Sequence, residues 1–188
     1  MSRIANIARD FAGRGGKRLR PRLCQAVFDA CGGTGDLSPV CEAVESFHKA
    51  SLVHDDIQDG DETRYGRPTV WKEHGVPMAI AAGDWLVAHG YQLIAGSGFA
   101  AVPAMLAATI DSHVRLCEGQ GDDLLGGGDY VSTCERKTGE AFALAAQLGR
   151  WPLARTTHRS AAMPSPMASC SRSTTIWQTA RIRKSFAN

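Results

Sequence analysis

The chain has 188 residues, of which 44% are hydrophobic, enough for one domain with a substantial apolar core. No apolar run reaches membrane-spanning length, because the longest, residues 76–99, contains Asp84 and His89. The six cysteines show no CxxC pair and no zinc spacing, which predicts reduced, mostly buried thiols and a cytoplasmic location.

The net charge of +2 conceals an uneven distribution of charged residues. The first 140 residues hold 14 basic against 19 acidic residues, a formal charge of −5. From residue 141 onward there are seven basic residues and no acid. The sequence shows neither aromatic interleaving of its basic clusters nor a nucleic-acid-binding motif, so no nucleic-acid partner is expected.

Apolar residues at three- and four-residue spacing predict helices over residues 21–30, 37–59, 77–94, 103–125 and 130–148. Glycine-rich breaks separate them at residues 32–33, 96–98 and 126–128. Strand-like alternation is almost absent. The pattern therefore predicts an all-α helical bundle that occupies residues 1–149.

The helical period ends after Gly149, and residues 150–188 are rich in Ser, Thr, Arg and Ala. One interpretation is a natural low-complexity tail. The other is a shifted reading frame: read from the third base of each codon, Thr174 and Thr175 can become two aspartates, and Cys170-Ser171 can become glutamine. We therefore expect a partial helical domain followed by an aberrant tail, irregular or out of frame.

The segment SLVHDDIQD at residues 51–59 is the most informative for chemistry. It places Asp55, Asp56 and Asp59 within a turn and a half of a predicted helix, where Asp55 and Asp59 share a face. Two unpaired carboxylates one turn apart repel each other, whereas a bridging divalent cation makes their proximity favourable. Mg²⁺ takes oxygen ligands and keeps waters for substrate phosphates, so the motif predicts a magnesium site.

Candidate phosphate ligands occur in other segments. In GGKRLRPR, Lys17 and Arg20 are three residues apart at a predicted helix start, where free N–H groups favour an anion. His48 lies two predicted turns before Asp55 on the same face, although a core histidine is the alternative. Arg64 follows the acidic motif and is suited to binding phosphate oxygens.

Two later segments add polar groups: GQGDD contains Gln120, and KTG contains Lys137 and Thr138. Each segment alone also fits a solvated surface. Taken together, these segments offer carboxylates and cations on helices or helix ends, which predicts a magnesium-diphosphate site inside a helical bundle.

From residue 15 to residue 149 the chain resembles the trans-isoprenyl diphosphate synthases, or polyprenyl synthetases. The resemblance rests on ordered motifs: GGKRLRP, HKASLVHDD, DDIQD, RYGRPT, GQGDDL and KTGEAF. It implies an isoprenoid synthase-type bundle and a magnesium-dependent prenyltransferase. Such an enzyme condenses an allylic diphosphate with isopentenyl diphosphate in isoprenoid biosynthesis, and the intact protein is expected to form a homodimer.

The resemblance also implies roles for single residues. Asp55 and Asp59, supported by Asp56, match the motif that binds Mg²⁺ and thereby the allylic diphosphate. The implied catalytic residues are Asp55, Asp59, Lys137 and Thr138. The implied substrate-binding residues are Lys17, Arg20 and His48 for isopentenyl diphosphate, Arg64 and Lys137 for the allylic diphosphate, and Gln120 beside the reacting centre.

Two departures from the family pattern affect these expectations. Tyr65 stands where the family usually has a second arginine, and Arg67 is a candidate substitute for that cation. The family's second aspartate-rich motif is missing, because no acid follows Glu140. The 188-residue chain is therefore expected to have little or no condensation activity.

Two other functions share parts of this pattern. A class I terpene cyclase has the acidic motif but no second diphosphate to bind, and GGKRLRP and KTG argue against it. A non-catalytic partner subunit of a prenyl synthase is the other alternative. The small Ala50 and Ser51, about one turn before Asp55, predict a pocket that allows products of C20 or longer.

Overall fold

The computed structural model describes residues 2–126 and 129–151, and nearly all of them are helical. The α-helices are α1 (Arg3–Gly13), α2 (Leu19–Ala30), α3 (Ser38–Asp59), α4 (Val70–His74), α5 (Val76–Ala95), α6 (Val102–Leu124), α7 (Tyr130–Cys134) and α8 (Glu140–Arg150). The all-α prediction is confirmed. The predicted aberrant tail begins at residue 150, and residues 152–188 lie outside the described part of the chain. Its irregular or out-of-frame character therefore stays a prediction.

Helix α1 was not among the predicted helices, although its sequence is amphipathic. Its apolar face buries Ala5, Ala8 and Phe11, which supplies the stabilisation that a short helix needs from tertiary packing. The Ser2 side chain caps the helix by accepting a hydrogen bond from the backbone N–H of Ala5 at 3.3 Å. The helix lies against α5 and α3.

A small hairpin follows α3, and it contains the two β-strands of the described chain. Strand β1 (Thr63–Arg64) pairs antiparallel with strand β2 (Arg67–Pro68). The turn residues Tyr65 and Gly66 both have positive φ, 55° and 74°, as a two-residue type I′ hairpin turn requires. The hairpin holds Arg64 and Tyr65 next to the end of α3.

Helix α3 runs through the middle of the bundle and belongs to two hydrophobic clusters. One cluster joins α2, α3, α5, α6 and α8 around Phe28, Phe47 and Leu148. The other joins α1, α3, α4 and α5 around Phe11, Val53 and Leu86. Helix α5 approaches α3 closely at Gly90, where an added Cβ would lie 2.4 Å from the Phe47 ring.

The predicted helix over 130–148 is interrupted in the structure. Helix α7 passes into a π-helical turn, Glu135–Gly139, before α8 begins. Such turns are rare and occur frequently at functional sites. The interruption contains Lys137 and Thr138, both predicted site residues. No helix of the described chain is long and apolar enough to cross a membrane.

Candidate functional site

Asp55 and Asp59 lie in the last two turns of α3 and form what we call the acidic wall. Asp55 is half-buried and Asp59 is exposed. Burial raises the pKa of Asp55, the Lys137 ammonium lowers it, and the negative charge of Asp59 raises it further. The pair is thus close enough to repel, which agrees with the helical spacing in the sequence.

The π-helical turn brings Lys137 to the acidic wall. Burial opposes the charged form, but a hydrogen bond to Asp123 and the charges of Asp55 and Asp59 raise the pKa of Lys137. The Lys137 ammonium donates to Asp123 Oδ2 at 2.6 Å. Three carboxylates from two helices therefore surround one lysine, and the electrostatic balance of this face is negative.

Gln120 and Thr138 come from α6 and from the π-helical turn. The Gln120 side chain donates to Gln58 Oε1 at 2.7 Å, which connects α6 to the last turn of α3 next to Asp59. Thr138 is exposed in the π-helical turn and follows Lys137 directly. The structure thus brings together four of the predicted residues, namely Asp55, Asp59, Gln120 and Lys137.

Asp56 has different surroundings from its two neighbours in the motif. Its side chain is 1% exposed and accepts a 2.5 Å hydrogen bond from Arg64 Nε. Burial raises the pKa of Asp56, and the Arg64 interaction opposes that rise. Asp56 therefore anchors Arg64, and its role as a supporting metal ligand stays a prediction.

The acidic wall fits Mg²⁺ as a partial ligand set. Among residues 2–126 and 129–151, no group of three His, Cys, Asp or Glu side chains is arranged to hold a metal ion. Asp55 and Asp59 nevertheless offer hard oxygen donors whose mutual repulsion a divalent cation would relieve. Mg²⁺ is commonly bound by one or two carboxylates with waters and substrate phosphates completing its coordination, and the pair satisfies that requirement.

A second cluster, which we call the phosphate grip, consists of Arg20, His48 and Arg64. Burial lowers the pKa of His48 to about 4, and the positive charges of Arg20, Lys49 and Arg64 add to the effect. Burial also lowers the pKa of Arg20. Arg20 Nε is buried without a hydrogen-bond partner in the described chain. Such a donor is costly unless an acceptor binds it, and a phosphate oxygen is a suitable acceptor.

Lys17 does not share a helical turn with Arg20, contrary to the predicted helix start. Helix α2 begins at Leu19, and Arg18 before it has the left-handed conformation with φ of 49°. The positive φ values of Gly15 and Gly16 turn the preceding chain away from a helical path. Lys17 is exposed on this loop and lines a surface concavity of about 460 Å³.

Lys49 is an important residue that the sequence interpretation missed. It is 1% exposed, and its ammonium donates to the backbone oxygens of Arg14 and Gly15 at 2.6 and 2.8 Å. It also lies 4.5 Å from the centre of the Tyr65 ring. Lys49 therefore fixes the loop before α2 to α3. Its position next to His48, between the apolar Phe47 and Ala50 of α3, is a signal that could have found it.

Arg67 does not replace the cation missing at Tyr65. Its guanidinium forms an ion pair with Asp10 of α1 at 3.3 Å and is directed towards that helix. Asp10 also binds the buried Arg14 at 2.6 Å. A cation that does contact the Tyr65 ring is Lys49, which comes from α3 and not from the hairpin.

The two small residues near Asp55 also differ. Ala50 is 1% exposed and belongs to the hydrophobic cluster with Leu86 and Phe11. Ser51 is exposed and lies four residues before Asp55, so it shares the face of that carboxylate. Ser51 is therefore the more accessible of the two residues, and the pocket floor stays a prediction.

Solved structures with this fold are isoprenoid synthases. The chain superposes on geranylgeranyl pyrophosphate synthetase from Pyrococcus horikoshii with a TM-score of 0.70 and 35% identity, covering 78% of this chain and 48% of that one. The synthetase from Geoglobus acetivorans gives a TM-score of 0.71 and 31% identity, with coverages of 78% and 51%. The fold is thus the isoprenoid synthase-type bundle that the sequence predicted.

The polyprenyl synthetase family model matches residues 1–164, and the chain belongs to this family. Among curated relatives, a geranylgeranyl diphosphate synthase of Mycobacterium tuberculosis is 40% identical over 147 residues, 73% of this chain and 42% of the relative. A short chain isoprenyl diphosphate synthase of Methanothermobacter thermautotrophicus is 38% identical over 144 residues, with coverages of 72% and 44%. The chain spans less than half the length of these two relatives.

Proposed function

We propose that the protein is a magnesium-dependent polyprenyl diphosphate synthase, which joins an allylic diphosphate to isopentenyl diphosphate. The observation that carries this proposal is a pair of charge sites along α3, to one of which α2 and the hairpin contribute Arg20 and Arg64. The acidic wall with Lys137 lies at the end of the helix, and the phosphate grip surrounds His48, seven residues earlier. At 1.5 Å per residue, His48 and Asp55 are about 10 Å apart along the helix axis.

Two sites at this separation suit two diphosphates that must be held separately. The negative acidic wall binds a diphosphate only through a cation, and Mg²⁺ would neutralise the charge of the leaving group there. The phosphate grip binds a diphosphate directly, because Arg20 and Arg64 present guanidinium donors and the neutral His48 adds one N–H. The first site therefore suits the allylic substrate and the second isopentenyl diphosphate.

In this mechanism the bond between the allylic carbon and the diphosphate oxygen breaks, and its electron pair leaves with the diphosphate. Lys137 stabilises the departing negative charge. The double bond of isopentenyl diphosphate attacks the allylic cation, and a proton is lost to the released diphosphate. The apolar bundle keeps water from the cation, while Gln120 and Thr138 lie beside the reacting centre.

The proposal includes products of C20 or longer. Several relatives are named geranylgeranyl diphosphate synthases, and one from Aeropyrum pernix is named geranylfarnesyl diphosphate synthase. The exposed Ser51 leaves room below Asp55 for a growing chain. We expect Ser51→Phe to shorten the products of a catalytically active version of the protein. Products of unchanged length would mean that another residue closes the end of the product pocket.

The 188-residue chain by itself is proposed to be impaired. It contains no acid after Glu140, so it supplies one acidic wall and cannot supply a second from its tail. The intact protein is proposed to be a cytoplasmic homodimer. Exposed apolar side chains on α5 and α6, including Ile80, Ile110 and Val114, are compatible with a surface that a second subunit covers in the intact protein.

The decisive experiment combines gene sequencing with an assay. The nucleotide sequence after codon 149 would be read in all frames, and a version carrying any restored acidic motif would be assayed with labelled isopentenyl diphosphate and Mg²⁺. We expect the restored version to form long-chain diphosphates. Asp55→Asn should reduce its kcat by at least about 100-fold, as the loss of transition-state charge stabilisation does elsewhere.

The same assay separates the alternatives. Consumption of the allylic substrate without isopentenyl diphosphate would identify a terpene cyclase. A chain that stays inactive but raises the activity of a co-purified full-length synthase would be a partner subunit. Normal turnover by the 188-residue chain alone would overturn the proposed impairment.

A further inference from the structure

Tyr65 occupies a backbone conformation that tyrosine rarely adopts. Its φ of 55° lies in the left-handed region, and it is the first central residue of the hairpin turn. Asparagine, aspartate and glycine are the usual residues at this position of a type I′ turn, because a bulky side chain is strained there. Such strain persists only where the surrounding structure compensates for it. The contacts of the Tyr65 side chain are therefore expected to be favourable.

The Tyr65 ring lies directly on the chain segment before α2. A Cβ added at Gly15 would be 3.1 Å from Cδ1 and 3.2 Å from Cγ of the ring, which is closer than side chains usually pack. The absence of a side chain at Gly15 thus lets the ring approach the backbone. A Cβ added at Gly16 would be 3.7 Å from the Tyr65 hydroxyl oxygen, so both glycines adjoin the tyrosine.

Lys49 approaches the same two glycines from α3. Its ammonium donates to the backbone oxygens of Arg14 and Gly15 at 2.6 and 2.8 Å, and it lies 4.5 Å from the centre of the Tyr65 ring. Lys49 is 1% exposed, and the attraction between an ammonium and an aromatic ring is stronger where water is excluded. The segment is therefore held between a hydrogen-bonded cation of α3 and an aromatic ring of the hairpin.

We propose that Tyr65 is a positioning residue of the phosphate grip. It holds residues 15–16 and the Lys49 ammonium in place, and it does not itself bind the diphosphate. The held segment leads directly to Lys17 and Arg20, the cations assigned to isopentenyl diphosphate, so the inference rests on the proposed function. The tyrosine at the position of the expected arginine thus replaces a direct cationic contact by a fixed loop.

The sign of a stability change tests the contacts of Tyr65. Tyr65→Asn relieves the backbone strain, so a side chain without favourable contacts would give a more stable variant. We expect the opposite result, a thermal midpoint lower by about 3 °C, because the ring contacts with Gly15 and Lys49 are lost. A midpoint equal to that of the unaltered chain, or above it, would overturn the proposal.

Arg18 provides the matched control, because it is the other non-glycine residue with positive φ in the described chain. Its φ is 49°, and its side chain forms an ion pair with Glu42 in which both groups are half-exposed. Arg18→Asn therefore relieves the same kind of strain at the cost of a surface ion pair. Its thermal midpoint should stay the same or rise. An equal fall in both variants would contradict the assignment of the Tyr65 effect to ring contacts.

Pyrophosphate binding separates positioning from direct contact. Tyr65→Asn should raise the dissociation constant of pyrophosphate about fivefold, whereas Tyr65→Phe, which keeps the ring, should change it by less than about twofold. Isothermal titration calorimetry well below the thermal midpoints measures both constants on folded protein. An equal loss in Tyr65→Phe would make the hydroxyl a direct ligand, and an unchanged constant in Tyr65→Asn would limit Tyr65 to stability. Either result would overturn the proposal.

A failure of the phosphate grip is distinguishable from a failure of this inference. If the unaltered chain binds no pyrophosphate, the proposed function loses the grip itself. If it binds pyrophosphate and Tyr65→Asn binds equally well, the role of Tyr65 alone is wrong.

A measurement on the unaltered chain covers the case in which Tyr65→Asn does not fold, which circular dichroism would reveal. The Hε protons of Lys49 adjoin the Tyr65 ring, so their NMR resonances should lie upfield of those of the exposed Lys17. Tyr65→Phe should keep this upfield shift. Resonances of Lys49 at the positions found for Lys17 would show that the ring does not hold the ammonium, and the proposal would fail.

Discussion

The acidic wall and the phosphate grip both include residues of α3 but are built in different ways. The grip is prepared by buried contacts: Asp56 anchors Arg64, and Lys49 fixes the loop that leads to Arg20. The acidic wall is half-exposed, and its two carboxylates repel each other. The comparison indicates that the fold itself organises the cationic site, whereas the acidic site needs an added cation to become favourable.

The largest expected effect concerns the support of the phosphate grip. Lys49→Met should lower the free energy of unfolding by about 2–3 kcal/mol, because it leaves two backbone carbonyls without their donor. The matched control is Lys72→Met. Lys72 is 46% exposed and pairs with Glu62 at the surface, so its loss should change stability by less than about 0.5 kcal/mol. Urea unfolding measures the free energy of unfolding of both variants. Equal losses would contradict the idea that buried contacts of Lys49 organise the phosphate grip.

Arg64 and Arg67 provide a matched pair for ligand binding. Arg64→Gln should weaken pyrophosphate binding about tenfold, because it removes a charge-assisted donor from the grip. Arg67→Gln should change the dissociation constant by less than about twofold, since Arg67 pairs with Asp10 on α1. Isothermal titration calorimetry would measure both constants. A larger loss in Arg67→Gln would restore Arg67 as the substitute cation.

His48 and His113 provide a comparison within one titration, because burial lowers the pKa of each to about 4. Pyrophosphate should raise the pKa of His48 by about one unit, since a bound anion favours the charged form. His113, bonded to Tyr91 in the core, should not respond. Proton NMR of the ring resonances measures both values, and a parallel shift would argue against direct anion contact.

The same histidines predict the direction of acid sensitivity. Their folded pKa values lie below the ordinary value of 6.5, so the unfolded chain binds protons first as the pH falls. Stability should therefore decrease between about pH 6.5 and pH 4. His48→Gln should flatten this part of the profile, as measured by urea unfolding at several pH values, and an unchanged slope would contradict the assignment.

The smallest effect is expected at the acidic wall. Asp55→Asn should raise the free energy of unfolding at neutral pH by less than about 1 kcal/mol, because it removes a partly buried charge repelled by Asp59. The folded pKa of Asp55 is raised, so its charge costs stability above that pKa. The gain should disappear as the pH falls below the unfolded value of 3.8, where both states are protonated.

Thermal unfolding with added magnesium tests whether the acidic wall binds a cation. Mg²⁺ should raise the thermal midpoint of the unaltered chain by linkage, because it binds the folded acidic wall. Asp55→Asn should abolish most of that rise, while Arg67→Gln should retain it. A rise that is equal in all three proteins would indicate nonspecific ion binding and not a site at Asp55 and Asp59.

The sequence by itself determined the helical class, most helix positions and the chemistry of the motifs. Three-residue and four-residue spacing reports a buried helix face, and Asp55 and Asp59 are neighbours on any helix that contains them. Tertiary structure decided the rest, because long-range partners are not encoded in local spacing. It paired Asp56 with Arg64 and Arg67 with Asp10, and it bound Lys49 to the loop before α2. Each assignment depends on which helices pack together, and burial then sets the charge that each group carries.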